Sequence, residues 1–331
     1  MVFKRLLGSL GVGGPTVDTV VDPGAARPGG ALTGQIHLKG GGADFDIEHI
    51  AVDLVARVEA EHEEGESEGV VTFDRFIVGG GFRLAEAEER SVPFSVTLPW
   101  ETPITELYGQ GLGIVLGVRT ELSVAGAKDQ GDLDQLAVAP LPVQEAILEA
   151  LGQLGFGFRS ADLEYGRIGG TGQQLPFYQE IELTPAPQYA HQVNEIEVTF
   201  LANPGGMEVV LEADKRGGLF SDGRDALTRF TIGHHDARDW NTEVDGWIRQ
   251  LVEHRTSYGS HAAYGHEVHH GHGFDDRHHD GHRSGPGIGT AVAAGAAGLA
   301  VGVVGGMVAA EVVDEIGDFF EGEEGDEGDE G

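Results

Sequence analysis

The sequence predicts a mainly β protein: two antiparallel β-sandwich domains, a few short helices and a low-complexity C-terminal tail. Three observations carry this expectation. From Thr16 to about Val138 apolar and polar residues alternate with period two, the mark of half-buried strands. Glycine, proline and acidic clusters break that alternation at short intervals, as turns between strands do. Beyond Arg255 apolar periodicity stops and the composition becomes low-complexity. The 331 residues suit about two domains at ~100–200 residues each. The expected divisions are 1–139 and 140–255 for the sandwiches, then a His-rich linker at 256–285, a Gly/Ala-rich segment at 286–310 and an acidic tail at 311–331.

Taken in order, Phe3, Leu6, Leu7 and Leu10 recur at helical spacing and predict a short amphipathic helix ahead of the first strand. Lys4 and Arg5 would suit a membrane surface, but a helix this short is expected to dock on its own domain. Its apolar run is broken by glycines and lacks a small-residue cleavage site, so the segment is read as retained and the chain as cytoplasmic. In the first sandwich, Ile50, Val52, Leu54, Ala56 and Val58 face one way, with Asp53, Arg57 and Glu59 on the other side. The same pattern returns in Val92–Leu98 and Ile114–Val124. The separators are Pro28-Gly29-Gly30, Gly40-Gly41-Gly42, His62 to Gly69, and Gly79-Gly80-Gly81. Pro93 and Pro99 bracket an edge strand, and Trp100 to Thr105 reads as a packed loop between sheets.

Pro140 and Pro142 mark the domain boundary. Val143, Ala146, Ile147, Ala150, Leu151 and Leu154 then give one amphipathic helix, begun by a proline whose missing N–H does no harm there. Strand patterns resume at Phe177–Leu183, Glu195–Leu201, Met207–Ala213 and Arg229–Ile232. A closing helix is expected near Trp240 to His254, with Val244, Trp247, Ile248, Leu251 and Val252 as its buried stripe.

Composition excludes several functions. Fifty-five acidic residues against 21 Lys and Arg give a formal charge of −34, the wrong sign for nucleic acid, which is bound through clustered cations. With no cysteine there is no disulfide, thiol nucleophile or Cys-ligated metal. Arg167 to Gly172 is glycine-rich but lacks the spacing of a dinucleotide-binding loop, and reads as a hairpin connection. Asp222-Gly223-Arg224-Asp225 lacks the length and terminal Glu of a calcium loop. His234-His235-Asp236 and Asp239 invite a metal or general-base reading. Adjacent residues on a strand point to opposite faces, which favours a surface pair before a helix. No residue-level feature supports an enzyme.

The tail offers two further readings. His261, His266, His269, His270, His272, His278, His279 and His282 give a flexible chain many two- and three-imidazole choices for zinc, nickel or copper, so weak divalent-metal binding is one expectation and a solvated linker the other. Gly287–Ala310 has 24 residues without charge, long enough as a helix to cross a ~30 Å hydrocarbon core. Fifteen of them are Gly or Ala, which favours a flexible segment over membrane contact or self-association through Ala294, Gly298, Gly302, Gly306 and Ala310. Eleven acids follow, with no base.

Four separated stretches, VFKRLLGSLGVGGPTVDTVV, RPGGALTGQIHLKGG, VPFSVTLPWETPIT and DWNTEVDGWIRQL, resemble in order the bacterial sporulation-control protein family of the stage-zero M type over roughly residues 1 to 255. The resemblance implies an arrestin-like fold for both sandwiches. It also implies a cytoplasmic regulator linked to the onset of sporulation or differentiation that works through contacts with other proteins; neither catalysis nor a cofactor is expected. It supplies no catalytic residue, and it leaves the tail open. The alternative is a metal-dependent enzyme or metal store centred on the His-rich segment.

Overall fold

The computed structural model describes residues 13–62, 65–213, 227–262 and 307–308. Ten strands form the first unit: β1 (Thr16–Val21), β2 (Ala31–Lys39), β3 (Phe45–His62), β4 (Gly65–Gly79), β5 (Phe82–Leu84), β6 (Glu89–Thr97), β7 (Glu106–Leu107), β8 (Gln110–Gly111), β9 (Leu116–Val124) and β10 (Gln130–Gln135). The second unit runs α1 (Pro142–Gln153), β11 (Gly157–Tyr165), β12 (Phe177–Thr184), β13 (Ile196–Asn203), β14 (Gly206–Ala213), β15 (Leu227–Ile232) and α2 (Trp240–Ala262). A last short strand, β16, is Met307–Val308.

Alternation builds the first unit as a two-layered sandwich. One sheet has the order β1-β2-β6, and it faces β10-β9-β3, with β4 and β5 on the far side of β3. Ile50, Val52, Leu54, Ala56 and Val58 are the buried face of β3, and Leu32, Ile36 and Leu38 answer from β2. Between the layers, Thr19 and Thr120 share a hydroxyl hydrogen bond of 2.7 Å. Pro93 lies on β6, which among the described residues pairs only with β2, an edge position that tolerates its missing donor.

The turn at Pro28–Gly30 is tied to the next loop. Gly29 has φ +70°, and a Cβ there would lie 2.5 Å from the Trp100 indole. Gly29→Ala is therefore expected to lower stability by roughly 2–3 kcal/mol, about 5–8 °C in Tm, through backbone strain and displacement of Trp100. A thermal melt checks this, and a variant melting with the wild type would show that the turn does not fix the indole.

β3 is 18 residues long and serves both units. Its pairing with β9 ends at Ala56↔Leu116, and beyond that point Glu59 pairs in parallel with Glu164 of β11. The sheet thus continues as β3-β11-β12-β13-β14-β15. Against this second sheet pack the two helices, so the layer opposite β11–β15 is helical among the described residues. Pro142 opens α1, and the Leu141 N–H donates to the Gln144 side chain at 2.8 Å. The stripe foreseen for α2 is buried, with Trp247 stacked on Phe230 at 4.6 Å.

Four details differ from expectation. The acidic stretch His62–Gly69 was expected to separate strands, yet β3 and β4 run into it as one long hairpin, pairing Glu59 with Glu68 and Ala60 with Ser67. β11 had no recognised pattern. α2 continues past Arg255 to Ala262, about two turns beyond the apolar stripe. Asp53, expected on a polar outer face, is 0 % exposed. It accepts both oxygens' worth of bonds from Arg75 Nη1 at 3.1 Å, and Arg119 Nη2 reaches it at 2.7 Å. Arg75 also donates to Glu121 at 2.6 Å, and His49 lies 3.3 Å from that carboxylate. Burial alone would raise the Glu121 carboxyl, but the bond to Arg75 and the Arg75 and His49 charges hold it below its usual range.

Candidate functional site

The junction between the units leaves an apolar groove. Its outer wall is the β7–β8 hairpin, closed by Tyr108 and Gly109 at φ 54° and 74°. Positive φ at both central residues matches the twist of a two-residue hairpin, and for tyrosine it is an uncommon conformation that the surroundings must maintain. The consequence is an aromatic ring held outward, 62 % exposed. The floor comes from α1 through Leu148 and Leu151, and Gly152 leaves room between them. Phe156, Phe158, Ile181 and Leu183 close the side, and Phe158 is 50 % exposed.

The groove encloses about 410 Å³, enough for one or two large apolar side chains. Glu149 and Gln153 stand on its margin. Partial desolvation, then the charges of Glu149 and Glu145, raise the Tyr108 phenol above its ordinary value. The described lining is mostly apolar, with Tyr108, Glu149 and Gln153 as its polar side chains.

Beside it, the Trp100–Thr105 loop fastens the two units, as a packed loop should. Glu101 accepts N–H bonds from Gln174 and Leu175, each at 2.8 Å. Desolvation nevertheless lifts its carboxyl above the usual range. Gln179 clasps the backbone of Ile104, accepting at 3.0 Å and donating at 2.9 Å. His234 stacks on Trp100 at 4.7 Å and donates from Nε2 to the Asn203 carbonyl at 2.6 Å. His235 is exposed and His234 half-buried, and the pair lies in the turn after β15 rather than on a strand. Asp236 accepts the Gly233 N–H at 3.1 Å, and Asp239 caps α2 by accepting the Thr242 N–H at 3.3 Å, with the Thr242 hydroxyl donating to it at 2.8 Å. These residues are engaged separately and share no focus. Arg167 to Gly172 lies between β11 and β12, the hairpin connection expected, with Gln173 bonding the Ile168 N–H at 2.9 Å.

The face of the second sheet turned away from the helices carries carboxylates. Asp162 and Glu164 on β11 meet Glu180 on β12, with oxygens within 4.8 Å of one another. Such a donor set matches a hard cation such as calcium. Burial, and then the charges of Glu180, Glu164, Glu59 and Glu182, push the Asp162 carboxyl up to about 8. A carboxyl held neutral at pH 7 is a poor ligand, and Glu164 and Glu180 are already engaged. The recurrence of acids at i and i+2 in Asp162/Glu164 and Glu180/Glu182 is the signal that could have revealed this face.

Of the eight histidines expected to bind metal, His261 falls in α2. The remaining His266, His269, His270, His272, His278, His279 and His282 lie outside the described residues, as do the N-terminal helix expected at Phe3–Leu10 and Asp222–Asp225. Of the Gly/Ala-rich segment only Met307–Val308 is described, and it is strand rather than helix. No helix among the described residues is long and apolar enough to cross a membrane.

A mainly β, two-unit scaffold with arrestin-like sandwich sheets, fastened by the Trp100–Thr105 loop, is the class these features define. Residues 3–217 match the SpoOM protein family, and the chain belongs to it. The sporulation-control protein spo0M of Bacillus subtilis (strain 168) is 36% identical over 260 residues, covering 76% of this chain and 97% of that protein. A crystal structure of Spo0M from Bacillus subtilis aligns with a TM-score of 0.60 and 29% identity, over 75% of this chain and 99% of the other.

Proposed function

We propose that this protein is a non-enzymatic, cytoplasmic regulator of sporulation or a related differentiation programme, acting by docking another protein in the groove beside β7–β8. Kinship with a sporulation-control protein supports the regulatory part. The observation that carries the docking part is the outward pair Tyr108 and Phe158 at the mouth of an apolar groove. Exposed aromatics beside a concave apolar surface are the usual anchors of an interface. Glu145 and Glu149 add a preference for a partner whose apolar anchor is flanked by Lys or Arg.

Site-specific photocrosslinking in cells entering differentiation tests the proposal. A crosslinking residue at position 108 or 158 is expected to trap one protein of defined mass, whereas the same residue at Val20, which is comparably exposed, traps none. Equal adducts at all three positions would remove the groove as the contact.

A further inference from the structure

β4 is a long strand with one committed neighbour. Over its whole length it pairs with β3, while its other edge has, among the described residues, only Met307–Val308. A free edge presents unpaired N–H and C=O groups and invites another strand, and charged side chains are the usual protection. β4 has that protection at both ends of its middle section, from Glu68 on one side and from Asp74 and Arg75 on the other. Between them, Gly69-Val70-Val71-Thr72-Phe73 carries no charge and is rich in residues that favour strands. This unguarded stretch is where the tail pairs, antiparallel, Met307 opposite Val71 and Val308 opposite Val70. Val70 and Val71 are 1 % and 0 % exposed, although Ser67 and Glu68 just before them are open to solvent.

We infer that the Gly69–Phe73 edge of β4 is a strand-addition site whose resident occupant is this chain's own Met307–Val308. Main-chain pairing supplies the affinity in such a site, and apolar residues at alternate positions supply the selectivity. Any incoming strand must first displace the tail, so the tail is a competitor held at high local concentration by its covalent connection. The inference does not depend on the groove, which lies on other elements.

Amide exchange on the full chain tests it, comparing wild type with the double variant Met307→Pro, Val308→Pro. Proline removes the donors and cannot extend a ladder. In the variant, alternate amides of Val70–Phe73 are expected to exchange at least tenfold faster, with β3 unchanged. A synthetic peptide of residues 303–312 should restore protection in the variant and bind wild type at least tenfold more weakly. Equal exchange in both proteins, or equal peptide binding, would overturn the inference. Protection that disappears on dilution would overturn it too, because the tail would then be pairing between copies.

Discussion

Asp53→Ala is expected to lower stability by about 2–4 kcal/mol, the cost of removing one partner from a buried charge cluster and leaving the others uncompensated. The carboxylate is fully enclosed, while Arg75 and Arg119 keep 27% and 30% of their side chains exposed. Those guanidinium groups can therefore turn partly to water, which places the effect below that of a wholly buried triad. Arg119→Ala should cost about half as much, roughly 1–2 kcal/mol, because Arg75 still bonds both Asp53 oxygens. Urea unfolding gives both numbers from the shift in midpoint at constant slope. A value for Asp53→Ala inside 0.5 kcal/mol would mean that the cluster serves neither packing nor register.

A second large effect concerns pH. Below about 4 the Asp162 carboxyl is protonated in folded and unfolded chains alike, and contributes nothing to the difference between them. As pH rises from there, the unfolded chain releases the proton while the folded one retains it up to about 8. Stability must fall across that window, since the folded state binds more protons. Asp134, raised to about 7 by burial and then by Asp132 and Asp18, acts in the same direction. Asp162 is only partly buried, so screening by water limits its share to about 1–2 kcal/mol at pH 8. Asp162→Asn should recover that amount at pH 8 and change nothing at pH 4. Melting curves at the two values decide the matter: a variant equally stabilised at both would be acting through packing, not through titration.

In the first sandwich β3, β6 and β9 were legible, because apolar residues recur at every second position in them. Pro142 and the stripe of α2 were legible because helical spacing and start signals are local. β11 was not, for a physical reason. Both faces of Gly157–Tyr165 carry polar residues, one of them being the carboxylate face, so little contrast survives beyond Leu163. The β3–β4 hairpin was hidden by the same chemistry, since acids that look like a loop are here cross-strand neighbours. Asp53 reads as a solvent-facing position in sequence and becomes buried only when β4 and β9 bring arginines to either side of it. The groove is the least legible feature, because its walls come from a hairpin, a helix and two strands far apart in the chain. Tyr108-Gly109 alone signals a turn and says nothing of what it overhangs.

The continuity of β3 from one sheet to the other has a mechanical consequence. A single extended strand gripped by β9 along one stretch and by β11 at Glu59 transmits torque, much as a shaft does between two gears. Were it the sole connection, the second unit could swivel about it. The Trp100–Thr105 loop supplies a second bearing off the shaft, through Glu101 and Gln179, and two bearings fix an axis where one leaves it loose.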